Sequence, residues 1–403
     1  MSSTRSAIAW AGKKFRTKNI SQRVQKIVIS PIKEMSILAD QFLAQHPKSH
    51  LVSFGQGIPF YDTPSHIKKA IRHALTEADT AKYTLEPGIT ELRELVAQKY
   101  QAKPSEIMIS VGCQEAVACA LATVLDPGDE VLIPSPTFAS HIEQILQFNG
   151  RPKFFALDEN HGWRLNLTAV ERAFTKKTKA ILFSNPANPT GAVLSQQELA
   201  DLVDLARQKD LILIADETYD FLTYDNLRHI SLAEFRQGQN NNLIICGSFS
   251  KKYALTGYRI GYAYASEGLI DHMLKVHDAL AICAPAISQK AALAALKGPQ
   301  DCVDRFIKGL SHNRDLMCHE LDKMSDIFEY QKPRGAYYIL VKYKKPALNS
   351  FKLALEILQR AQVITIPGAA FGPTGEGHIR FSFAGEPNDI PEGFKRLRRF
   401  FRP

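Results

Sequence analysis

The chain has 403 residues, 45% of them hydrophobic and 23% charged, with a formal net charge of +9. That length exceeds what one ordinary core organises, so two domains are expected, and the composition is that of a soluble globular protein. No apolar run is long enough to span a bilayer: the longest, about 111–125, is broken by Gln114 and Glu115. The six cysteines (113, 119, 246, 283, 302 and 318) show no C-x-x-C and no histidine pair at zinc spacing. This argues against a disulfide framework and a structural metal site, and it makes a reducing, cytoplasmic location the default.

From the N-terminus, residues 1–33 carry Arg5, Lys13, Lys14, Arg16, Lys18, Arg23, Lys26 and Lys33, with no acid before Glu34. The stretch reads as a solvated basic arm; an organelle transit peptide or a nucleic-acid arm are the alternatives. No DNA-binding helix pair or aromatic-interleaved basic run supports the last of these. From about 105 to 265, strands and helices alternate. IMISV (107–111) is followed by a helix over 114–125 and the turn DPGD. EVLIP (130–134) precedes Ser135-Pro136, which reads as an N-cap with proline at the first helical position. KAILFSN (179–185) is a strand, Ser195 with Glu198 predicts a capping box for a helix over 198–210, and LILIA (211–215) and LIIC (243–246) are further buried strands. Apolar strands separated by helices predict a three-layer α/β fold: a mostly parallel sheet with helices on both faces. After about 290 a long helical pattern (299–324), a strand near 335–343, a helix near 350–361, VITIP (363–367) and HIRFSFA (378–384) predict a smaller α+β domain. The expected division is an N-terminal arm and helix, 1–50, a large domain, 51–290, and a small C-terminal domain, 291–403.

In parallel sheets, ligands sit at the C-terminal strand ends. After IMISV stand Gly112, Cys113 and Gln114 at a helix start, where backbone N–H groups favour an anion. After EVLIP comes Phe138, able to stack on a flat ligand. After KAILFSN the loop NPANPTG (185–191) holds Asn185 and Asn188 stiffly at the sheet's mouth. After LILIA comes Asp216, an acid at the end of a buried strand that needs a cationic partner, with Tyr219 as a nearby hydroxyl donor. After LIIC comes SFSKKYALTGYR, in which Ser248 and Arg259 suit a phosphate and a lysine suits an imine. Each feature alone is an ordinary turn or core residue. Together they describe a planar, phosphorylated heteroaromatic aldehyde with an acid for its ring nitrogen, which is pyridoxal phosphate.

The chain resembles the class I/II pyridoxal-phosphate aminotransferases, the fold-type-I group that includes bacterial aspartate aminotransferases. The motifs carrying the resemblance, in the family's order, are GIPFYDTP (57–64), KYTLEPGITELRE (82–94), DPGDEVLIPSPTF (126–138), NPANPTG (185–191), DETY (216–219), SFSKKYALTGYRIGY (248–262) and HIRFSFA (378–384). The resemblance implies that Lys251 forms the Schiff base. It stands three residues after Ser248 and eight before Arg259, as the family's lysine does, which leaves Lys252 out of register. By the same resemblance, Asp216 pairs with the ring nitrogen, Tyr219 and Asn188 hold the ring oxygen, and Ser248, Arg259 and the Gly112–Gln114 amides hold the phosphate. Tyr83 would reach the phosphate from the neighbouring subunit of a homodimer with shared active sites. Arg380 would clamp the substrate α-carboxylate, with Gly57 and Asn188 beside it.

The implied reaction moves an amino group between an L-amino acid and a 2-oxo acid by ping-pong kinetics, Lys251 carrying the proton from Cα. A C–S (β-elimination) lyase shares all these motifs and is the alternative enzyme class. Regulators with this fold carry an N-terminal winged helix, which the residues before GIPFYDTP do not resemble. No nucleic-acid or membrane partner is expected. Ile58 and Phe60 depart from the family's first motif, at an entrance loop. Gln114 stands where one subgroup of aspartate enzymes has a lysine for the side-chain carboxylate, and Phe138 where many have tryptophan. Aspartate specificity therefore does not follow, unless a mobile arginine or Lys82 supplies the charge. The loop GAAFGPTGEGH (368–378) is not a nucleotide loop and is expected to close over the substrate near Arg380.

Overall fold

The computed structural model describes residues 20–27, 30–236, 242–344 and 348–402. The basic residues from Arg5 to Lys18, and with them the arm and targeting readings, lie outside the described residues. Helices α1 (Gln22–Lys26) and α2 (Pro31–Gln45) lead into β1 (Val52–Ser53), α3 (Ser65–Ala74) and α4 (Thr90–Lys99). Next come β2 (Ile107–Ser110), α5 (Cys113–Val124), β3 (Glu130–Ser135), α6 (Ala139–Gln147), β4 (Arg151–Ala156), α7 (Leu167–Ala173) and β5 (Thr178–Ser184). These are followed by α8 (Gln196–Lys209), β6 (Ile212–Asp216), β7 (Leu243–Ser248), β8 (Gly261–Tyr264), α9 (Glu267–Ala281), α10 (Ala286–Lys297) and α11 (Asp301–Asp322). The chain ends with β9 (Phe328–Tyr330), β10 (Tyr338–Tyr343), α12 (Ser350–Glu356), β11 (Val363–Ile364), β12 (Ile366–Pro367), β13 (His378–Ser382) and α13 (Asp389–Phe401).

Seven strands form one sheet in the order β2-β8-β7-β6-β5-β3-β4. All neighbours run parallel except β8, which is antiparallel to both β7 and β2. The period-2 alternation of side chains explains the continuous apolar runs. On β5 to β7, Ile181, Phe183, Leu213, Ala215, Leu243 and Ile245 face one core, while Ala180, Leu182, Ile214, Ile244 and Cys246 face the other. Residues of α3, α4, α8 and α10 share the first core, and residues of α5, α6 and α9 the second. The expected three-layer fold is therefore present. Strands β4 and β8 add to the expected set. β4 reads RPKFFA, with a proline and two cations, because it is an edge strand.

Two local expectations divide. Ser195 accepts from the Glu198 N–H while the Glu198 carboxylate accepts from the Ser195 N–H, so the capping box is formed. Ser135 does not cap a helix: it is the last residue of β3, its Oγ bonds the Thr374 Oγ1 and N–H, and α6 begins only at Ala139. The serine's hydroxyl is committed to a loop 239 residues away, which local spacing does not reveal.

A second, antiparallel sheet has the order β12-β13-β10-β9, and β1 pairs with β11 in parallel. A separate core joins Ile339, Val341, Phe381 and Phe383 to Leu310 and Met317 of α11 and to Phe394 and Leu397 of α13. This is the smaller α+β part. α10 packs on α3 and α4, beside the first core.

Candidate active site

A cleft of about 360 Å³ opens where the ends of β5, β6 and β7 meet β10, β13 and the start of α2. Cys113, Gln114, Phe138, Asn188, Asp216, Tyr219, Ser248, Lys251, Arg259, Arg380 and Gly57 all line it. Gly57 and Arg380, 323 positions apart in sequence, thus line one cleft. Gly112 sits immediately behind: it has φ +77°, and a Cβ there would lie 2.6 Å from Arg259 Nη2. Tyr83 is not brought in; it is 77% exposed and does not line this chain's cleft.

On the floor, Asp216 ends β6 and is buried. Its Oδ1 accepts the Thr218 N–H (3.0 Å) and the Cys113 thiol (3.3 Å), and its Oδ2 faces His141 Nε2 at 3.3 Å. Burial alone would raise this carboxyl, but His141 and Thr218 outweigh it and hold it below the usual carboxylate range. Past the end of β7, Lys251 Nζ donates to the Gly57 carbonyl at 2.7 Å. Burial, reinforced by Arg259 and Arg380 and opposed by Asp216, lowers its amine to about 8. Lys252 turns away, its ammonium 5.5 Å from the centre of the Tyr253 ring.

Arg380, in β13, is 2% exposed. Its guanidinium donates to Asn188 Oδ1 (3.1 Å) and to the Gly55 carbonyl, and lies over the Tyr338 ring at 4.3 Å and the Phe371 ring at 5.1 Å. It has no carboxylate partner among the described residues, and its Nε has no acceptor. A buried cation held only by neutral acceptors is a seat for an anion. Asn188 is thus aimed into the site. Asn185 is not: its amide bonds the Leu194 N–H and the Ile230 carbonyl and braces its own loop. Tyr219 OH pairs with Tyr338 OH at 2.9 Å. Gly57 must lack a side chain, because a Cβ would lie 1.9 Å from Tyr338 Oη.

Several lining residues escaped the sequence reading: His141, Thr218, Ser250, Tyr338, Thr256, and Lys33, Ser36 and Gln56 at the mouth. His141 stands three residues after Phe138, one helical turn away, and its ring meets Phe138 edge-on at 5.5 Å. That spacing was a usable signal; its partner 75 residues on was not. Lys82 pairs with Asp79 at 3.0 Å and does not line this chain's cleft. Nor does the 368–378 loop line it: Phe371 backs Arg380, and its carbonyl accepts the Thr137 N–H. It is a packed support rather than a lid.

The pattern of the family described as Aminotransferase class I and II matches residues 49–397. A probable aspartate aminotransferase of Methanocaldococcus jannaschii is 36% identical over 397 residues, covering 95% of this chain and 100% of that protein. Aromatic-amino-acid aminotransferase 2 of Thermococcus litoralis is 33% identical, covering 95% and 98%. The solved structure of Thermus thermophilus aspartate aminotransferase with maleate superposes with a TM-score of 0.88 at 30% identity, over 95% of this chain and 99% of that one. With cleft, fold and near-complete alignments in agreement, the chain belongs to the class I and II aminotransferases, pyridoxal-phosphate-dependent enzymes that transfer amino groups between amino acids and 2-oxo acids.

Proposed function

We propose that this cleft exchanges the amino group of an L-amino acid with a 2-oxo acid, Lys251 being the amine that bonds the cofactor and relays the substrate's Cα proton. The observation that carries this is a buried amine lowered to about 8, set between an ionised carboxylate, Asp216, and an unpaired buried guanidinium, Arg380. Pyridoxal phosphate fits the donor set: Arg259, Ser248 and the first turn of α5 line the cleft together with Asp216 and Phe138, and the 2.6 Å from a Gly112 Cβ to Arg259 Nη2 brings the α5 start and the guanidinium together as one anion seat. When bound, it supplies a carbonyl carbon for the amine and a ring that accepts electrons from the substrate. Asp216 would hold a proton on the cofactor's ring nitrogen, and Tyr219 and Asn188 would donate to its ring oxygen. Arg380 fixes the α-carboxylate, and that orients the Cα–H bond toward Lys251.

Substrate choice is set at the mouth. Lys33 of α2 lines it with Ser36 and Gln56, and Lys33 has no ion-pair partner among the described residues. It favours a substrate with an acidic side chain, a role Gln114 cannot fill. The exposed Tyr83 and Leu85 support a homodimer in which Tyr83 reaches the partner's phosphate site. The boundary expected at about residue 290 falls inside α10, whose Ala291, Ala292 and Ala295 belong to the first core, so we place it after that helix. Six free cysteines suit a reducing compartment such as the cytoplasm, and no helix among the described residues is long and apolar enough to cross a membrane. Half-reactions with aspartate, glutamate, alanine, aromatic and basic donors, followed by cofactor absorbance, test this reading. Turnover of none of them, or 2-oxo-acid-independent release of ammonia, would overturn it.

A further inference from the structure

We infer that the buried pair Glu115–His277 is a positioning device for the phosphate cradle: it ties down the loop before α5 and keeps Glu115 out of the anion's place. The inference rests on the reading that the N-terminal amides of α5 hold the cofactor phosphate.

Glu115 occupies the third position of α5, after the N-cap Gly112. A glutamate there ordinarily folds back onto the N-cap N–H. Here its Oε2 reaches one residue further and accepts the Val111 N–H, while its Oε1 accepts from His277 Nδ1 at 3.1 Å. A carboxylate oxygen only accepts, so the imidazole carries its proton on Nδ1. His277 comes from α9, is fully buried, and its Nε2 has no partner among the described residues. Among the described residues, its one side-chain hydrogen bond is therefore to this carboxylate. The loop is also clamped from the sheet side, since a Cβ on Gly261 of β8 would lie 2.6 Å from the Cys113 nitrogen.

The arrangement answers an electrostatic conflict. The first turn of α5 presents N–H groups without intrahelical acceptors, and these attract any anion within reach. Glu115, in that same turn, is itself such an anion. Drawn outward by Val111 and His277, it leaves the Cys113 and Gln114 amides to a phosphate. Deprived of His277, this carboxylate, 10% exposed, has lost a donor, and because the Gly112 N–H is taken by the Ser110 carbonyl, the free N–H groups left in its own turn are those same amides. The neighbouring Cys119 thiol adds no charge, because burial and then Glu115 push it up to about 12. Cys119, Glu115 and His277 also bring ligating atoms within 4.8 Å of one another, but both carboxylate oxygens are already engaged, which favours the positioning role over a metal site.

The test compares dissociation of pyridoxal phosphate and of pyridoxal, which lacks the phosphate, from the full-length wild type and the variants H277L, H277Q and E115Q, followed by cofactor absorbance. The expected result is that H277L weakens pyridoxal phosphate by about tenfold, as for loss of a hydrogen bond to a charged group, and leaves pyridoxal within about twofold. H277Q, whose amide can donate to Glu115, restores most of the loss. E115Q, which can satisfy only one of the two donors and carries no competing charge, weakens pyridoxal phosphate less than H277L does. Equal weakening of both ligands, or unchanged binding of pyridoxal phosphate by H277L, overturns the inference; should H277L not fold, E115Q with unchanged binding of pyridoxal phosphate does the same. A wild type that binds pyridoxal as tightly as pyridoxal phosphate would instead sink the cradle itself.

Discussion

The floor and the mouth of the cleft are built on different principles. On the floor, Asp216, Tyr219 and Arg380 are buried, and each is held by named partners: Thr218, Cys113 and His141 for the aspartate, Tyr338 for the tyrosine, Asn188 and Gly55 for the arginine. At the mouth, Ile58 is 56% exposed and Lys33 is exposed without an ion-pair partner among the described residues. Fixed groups in a low-dielectric floor can stabilise developing charge strongly, whereas solvated groups at a mouth discriminate weakly. On the proposed function the reaction belongs to the floor and the choice of side chain to the mouth, so substitutions in the two regions should differ in size and in which substrates they affect.

The largest effect is expected at Lys251. Lys251→Ala should abolish the visible cofactor absorbance and lower transamination by at least ~10³-fold, the scale of losing the group that moves the proton. Lys252→Ala, facing the Tyr253 ring, should keep the absorbance; the reverse pattern would break the assignment of the floor. Next, Arg380→Ala should raise the KM of amino acids by about 100-fold, as for removal of a buried charged donor, and spare amines that lack a carboxylate. Equal losses for both classes would show that Arg380 supports the fold rather than the substrate.

The floor was legible because its residues follow strand ends in short motifs: DETY after β6, SFSKK after β7, NPANPTG after β5. A buried apolar run that stops at a charge is itself the signal. The mouth was not legible for the opposite reason. Lys33 lies in a helix whose sequence, PIKEMSILADQFLAQ, reads as an ordinary amphipathic surface, and only the tertiary fold carries it to the cleft. His141 and Ser135 show the intermediate case: each had a local pattern, but the partner that defines its role lies far along the chain. The Gly-rich loop 368–378 misled because exposed glycines suggest motion, whereas a Cβ on Gly368 would lie 2.0 Å from the Gly375 carbonyl oxygen, so those glycines permit close packing.

A pH profile sharpens the comparison at an intermediate size. Lys251 is lowered to about 8, first by burial, so its amine becomes neutral as pH rises through that value. Only the neutral amine bonds a carbonyl, so the rate at which the cofactor-free protein captures added pyridoxal phosphate should rise about tenfold per unit below pH 8 and level off above it. A profile that keeps rising toward pH 10 would mean that the amine is not buried as the structure places it. Lys33→Ala should leave this profile unchanged, since the mouth does not touch the amine.

The smallest effect is the one that separates substrates. Lys33→Ala should raise KM for aspartate and glutamate about three- to fivefold, the worth of one solvent-exposed ion pair, and leave alanine and aromatic donors within error. High salt should erase the difference between wild type and variant, because an exposed charge is screened where a buried one is not. If the loss instead persists at high salt, or falls equally on alanine, Lys33 acts by packing α2 against the cleft, and side-chain choice belongs to a neighbouring subunit.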